Sequence, residues 1–83
     1  MKFNNLLLKK HILQKQTKIM LANNEAISLR RICQTIGVEN YTMSRILNSD
    51  KVPSLVPLIK ICVWLNADID DYIILDENEK SDQ

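Results

Sequence analysis

The stretch LRRICQTIGVENYTMSRI, residues 29–46, decides how this chain folds. Its first half sets Leu29, Ile32, Cys33 and Ile36 at i, i+3, i+4 and i+7, the apolar face of a helix, with Arg30, Arg31, Gln34 and Thr35 on the other side. Ser28 stands where a helix wants an N-cap oxygen. Gly37, the only glycine, ends the helix because a residue without Cβ takes the left-handed conformation freely. After Val38, residues Met43, Ile46 and Leu47 mark the inner face of a second, short helix, closed by the turn-prone Asn48-Ser49-Asp50. Two helices joined this tightly touch over a small area, which asks for a small residue in the first helix, a glycine at the turn and apolar residues at set places in the second. Cys33, Gly37, Val38, Met43 and Ile46 occupy those places. On the opposite side of the second helix Asn40, Tyr41, Ser44, Arg45 and Asn48 fall at i, i+1, i+4, i+5 and i+8, so they form a single polar row.

Outward from this stretch, Leu6, Leu13 and Met20 repeat every seven residues, with Ile12 and Ile19 beside them and Leu8 one turn before Ile12, and predict a helix over about 4–22. Asn23-Asn24-Glu25 is a turn. On the C-terminal side Pro53 and Ser54 precede a stripe of Leu55, Leu58, Ile59 and Cys62, and Pro57 fits the first turn, where no intrahelical donor is lost. Asn66 can end that helix, and Asp68 can cap a last short one reaching about Ile74, with Asp70 and Asp71 suiting its dipole. The expectation is therefore an all-α, compact five-helix domain over residues 1–75. Its helices lie at about 4–22, 28–48 (two) and 54–74 (two). The acidic, almost wholly polar residues 76–83 are expected to fray.

A chain of 83 residues has room for one domain. Its apolar runs are far too short to span a bilayer, and no secretory cleavage pattern follows the N-terminus, so the reading is a cytoplasmic protein. The net charge of +1 conceals a division: residues 1–67 hold ten Lys or Arg against three acids, and residues 68–83 hold one against seven. A basic body suits a polyanion, with the acidic end facing away from it. Cys33 and Cys62, each alone within a helical pattern, read as small buried hydrophobes and not as a disulfide or zinc site. His11 has no partner that suggests catalysis or metal binding and reads as a surface residue. No enzyme and no cofactor are expected.

The polar row carries side chains suited to base edges: Arg bonds guanine bidentately, Asn bonds adenine and Ser is adaptable. With GVENYTMSRILN followed by Pro53-Ser54 and an apolar helix, the chain resembles the phage-repressor-like (XRE-type) helix-turn-helix family from about residue 27 to residue 73. The resemblance implies five helices, the second and third forming the helix-turn-helix, and a transcription regulator of repressor type that binds double-stranded operator DNA, usually as a homodimer. It places Asn40, Tyr41, Ser44 and Arg45 against bases. It places Asn48 and Lys51 near the phosphate backbone. Ser28, Arg30 and Thr42 are expected to contact phosphates too, Arg30 in place of the glutamine that the family often carries where this chain has Leu29. Val63, Trp64, Tyr72 and Ile74 exceed what one small core absorbs and are candidates for a dimer interface, although Trp64 equally suits the centre of the monomer core, the commoner role of a lone tryptophan. The alternative is a protein-interaction module of the same fold, such as an antitoxin, that holds a protein partner through apolar surface on helices 4 and 5.

Overall fold

The computed structural model describes residues 1–75; the expected fraying of 76–83 lies outside them. A two-residue strand β1 (Lys2–Phe3) leads into four helices, α1 (Asn5–Asn23), α2 (Leu29–Ile36), α3 (Asn40–Leu47) and α4 (Leu55–Leu65). A 3-10 turn over Ile69–Tyr72 and a second short strand, β2 (Ile73–Ile74), follow. The described chain is mostly helical.

Local chemistry sets the helix ends. The Asn4 and Ser28 side chains accept from the Leu7 and Arg31 backbone N–H groups. Gly37 closes α2 in the left-handed region at φ 76°, and Asn24 and Asn66 close α1 and α4 the same way at φ 51° and 57°. Asparagine tolerates that conformation because its short amide bonds locally.

The expected fifth helix is absent. Asp68 and Asp71 do form a capping box, but they start only one 3-10 turn before the chain straightens. Ile73 and Ile74 are β-branched and pair antiparallel with β1, Phe3 opposite Ile73 and Lys2 opposite Ile74. The Asn4 N–H also donates to the Tyr72 carbonyl at 2.7 Å, so the N-terminal segment and the end of the described chain are sewn together.

The core gathers Phe3, Leu8, Ile12, Met43, Ile46, Leu58, Ile61 and Tyr72 with both cysteines. Each large apolar side chain taken fully from water stabilises the fold by about 1.5–3 kcal/mol. Three expectations need correction here. The sevenfold repeat of α1 does not face this core: Leu6 is 72% exposed and Leu13 is exposed as well, and Leu8 and Ile12 are the buried pair. Tyr72, expected at an interface, is fully buried, and its hydroxyl lies 2.7 Å from His11 Nδ1. His11 is accordingly half-buried and ring-packed edge-on against Tyr72, not free on the surface.

Candidate nucleic-acid interface

Three buried side chains, Met43, Ile46 and Leu47, fasten α3 to the core. Four polar contacts then fix its position. The Asn5 amide donates to the Leu47 carbonyl at 2.8 Å, and the Phe3 N–H donates to the Asp50 carbonyl at 2.7 Å, clamping the end of the helix. At its start, the Gly37 N–H donates to the Cys33 carbonyl, and the Lys60 ammonium donates to the Gly37 carbonyl at 3.1 Å. The three-residue connection between α2 and α3 is thereby tied to α4. None of Phe3, Asn5 and Lys60 stood out in the sequence, because contacts between residues so far apart in the chain leave no local pattern.

So held, α3 turns Asn40, Tyr41, Ser44, Arg45 and Asn48 outward, and all five are exposed. Tyr41 is 71% exposed, and the Arg45 guanidinium stands 5.7 Å from its ring centroid. The two side chains, one helical turn apart, are within cation–π range of each other. The Asn40 side chain has no partner among the described residues and is available to a ligand. Asn48 is different: its amide nitrogen already donates to the Ser44 carbonyl and hydroxyl, so a phosphate contact from that nitrogen requires those bonds to open.

Two clefts flank the row. On one side Arg30 and Lys9 border Asn40, Ser44 and Asn48. On the other Lys51, Ser49 and Ser54 border Thr42 and Arg45. Neither cleft is lined by an acidic residue. Cationic and hydroxylic donors on both sides of a polar helix match the chemistry of two phosphate strands bordering one groove. Ser28 is exposed, although its oxygen already caps α2. Of the α1 lysines, Lys9 joins this face. Lys15 does not: it donates to the Trp64 carbonyl and sits over the Trp64 ring. Glu39 is exposed at the N-terminal end of α3 and makes no side-chain capping bond.

The remaining expected interface residues separate. Val63 is 74% exposed and Ile74 also faces solvent, whereas Trp64 is half-buried against the core and Tyr72 is wholly inside. Burial raises the pKa of the Cys33 and Cys62 thiols, in Cys62 with help from the charges of Asp71 and Asp68. A thiol kept protonated is a poor nucleophile and a poor metal ligand. Among the described residues no cluster of His, Cys, Asp or Glu could hold a metal ion, and no helix is long and apolar enough to cross a membrane. No family model, curated protein or solved structure matches this chain.

Proposed function

We propose that this protein binds double-stranded DNA sequence-specifically, with α2 and α3 acting as a helix-turn-helix and α3 lying in the major groove. The observation that carries this reading is the outward row on α3, braced at both ends and bordered by clefts free of acidic residues. An eight-residue helix is about 12 Å long, a length and width the major groove admits. In this reading Arg45 reads guanine, Asn40 reads adenine, and Ser44 and Tyr41 make the adaptable contacts. Arg30, Lys9, Thr42 and Lys51 hold the phosphates, with Ser28 and Asn48 in lesser parts, and set the register without reading sequence. A protein bound this way regulates transcription either by occluding a promoter or by touching polymerase, and the role proposed is that of a transcription regulator, repressor-like in its fold.

Exposed Val63 and Ile74 favour a second reading, in which an apolar surface holds another protein. The buried Tyr72 takes no part in it.

Selection from random duplexes by the purified chain tests the DNA reading. The expected result is a short enriched motif, and Arg45→Ala should lose preference at one base pair of it. No enrichment, or an unchanged motif with Arg45→Ala, refutes the assignment.

A further inference from the structure

We infer that the groove between α1 and the segment joining α4 to the 3-10 turn binds one long-chain anionic amphiphile, its carboxylate-type head on lysines and its chain on an apolar floor. The groove is open and has a volume of about 1300 Å³. On α1, Lys10, Gln14 and Lys18 follow one another at i, i+4 and i+8 and form its rim. Ile19 and Ala22 continue round the helix toward its inner side, and Leu65 and Ala67 line the facing wall. Tyr72 and His11 line it as well, but the phenol oxygen and Nδ1 are already paired with each other at 2.7 Å and ask nothing of a ligand. Four lysines and no acidic residue border the groove, and residues 1–24 contain no Asp or Glu. Lys15 is engaged by the Trp64 carbonyl and ring, whereas Lys10 and Lys18 have no partner among the described residues.

Rim and floor together select the occupant. A phosphate or a nucleic-acid strand satisfies the lysines but leaves Ile19, Ala22, Leu65 and Ala67 facing water, and an uncharged hydrocarbon covers those four but leaves the lysines nothing. A molecule that joins an anionic head to an apolar chain uses both. An extended peptide fits less well. The Asn66 and Ala67 N–H groups on the facing wall already donate to the Val63 and Cys62 carbonyls at 3.1 and 2.9 Å, so its own backbone would lie unpaired on the apolar floor. A bilayer is flat and meets the edges of a concave groove but not its floor. From His11 to Ala22 the helix runs about 16 Å, close to the length of an extended dodecyl chain. Lysine stems lie along such a chain while their ammonium groups reach its head, so Lys10 and Lys18 serve both halves of the ligand. The groove also adjoins the row on α3, because Lys9 lines both it and the cleft beside Asn40 and Ser44. A head group that draws Lys9 toward itself takes that charge from a phosphate, so occupancy weakens duplex binding. That consequence rests on the DNA reading; the binding of the amphiphile does not.

Calorimetric titration of the full chain, without DNA, by dodecanoate kept below its micelle concentration tests the site. The expected result is saturable binding of one dodecanoate per chain with unchanged circular dichroism. Dodecyltrimethylammonium, with the same chain and the opposite charge, should bind at least about tenfold more weakly, and acetate, the head alone, should not saturate. Lys10→Glu combined with Lys18→Glu should weaken binding about tenfold, and so should Ala22→Trp, which fills the groove from an exposed position. The charge-matched Lys2→Glu with Arg31→Glu, outside the groove, should bind as the parent does. Amide shifts should centre on residues 10–22 and 65–67. Failure of dodecanoate to saturate the chain overturns the proposal, including the case in which phosphatidylglycerol vesicles or an acidic amphipathic peptide bind instead. So does equal binding of the cationic amphiphile, binding untouched by the groove substitutions, or shifts centred on α3 or the outward face of α4. A chain that selects no duplex yet binds dodecanoate loses the DNA reading and keeps this one.

Discussion

α3 and α4 are built alike on the inside and differently on the outside. Each is anchored by three buried side chains, Met43, Ile46 and Leu47 in one and Leu58, Ile61 and Cys62 in the other. Away from the core, α3 shows solvent an amide, a phenol, a hydroxyl and a guanidinium, whereas α4 shows it four aliphatic groups and the single ammonium of Lys60. Exposure alone therefore assigns no role. Groups with directional donors and acceptors can tell one ligand from another, and aliphatic groups can only gain by being covered.

The sharpest way to break this comparison is to remove an anchor. Met43→Ala should cost about 2–5 kcal/mol by leaving a cavity under α3. Urea denaturation should show most of the chain's stability gone, while Val56→Ala on the outside of α4 leaves the monomer's stability nearly unchanged. Next in size is the outward row itself. Arg45→Ala should lose about 1–3 kcal/mol on the preferred duplex, and Lys51→Ala should weaken all duplexes alike and flatten the salt dependence by about one unit. If the two substitutions behaved identically in binding titrations across salt, the division between reading and holding would be lost.

A smaller effect sharpens how α3 is aimed. A Cβ on Gly37 would meet only the Lys60 ammonium at 3.6 Å, an ordinary contact, so the cost of Gly37→Ala lies in its φ of 76° and should be about 1–2 kcal/mol in thermal unfolding. The smallest effect is on pH. Cys62 and Tyr72 have raised pKa values, chiefly from burial, so above the ordinary thiol value of 9.0 the folded chain holds protons that the unfolded chain has released. Stability is then complete below that pH and declines as pH rises through the raised values. Cys62→Ala should make the decline shallower in denaturation curves taken from pH 8 to 11.

Much of this was legible where the signal was local. Ser28, Gly37 and Asn66 mark helix ends by their own chemistry, and all three serve in the expected places. The polar row was legible because helical spacing alone puts residues 40, 41, 44, 45 and 48 on one side. What failed was non-local. α1 has apolar residues on two sides, and periodicity cannot say which side meets the core; the tidy repeat of Leu6 and Leu13 points outward, and the less regular Leu8 and Ile12 point in. The Asp68–Ile74 segment has a good cap, yet Ile73 and Ile74 gain more by pairing with Lys2 and Phe3, a partner some 70 residues away that no local pattern announces. Tyr72 followed that strand into the core.

The claim on which the rest depends is that α3, and not α4, meets DNA. Following backbone amide resonances while a selected duplex is titrated into the protein tests it directly. The expected shifts are largest from Asn40 to Asn48, smaller at Arg30, Lys9 and Lys51, and absent along the outward face of α4 from Leu55 to Val63. Shifts centred on α4, with α3 silent, would contradict the account.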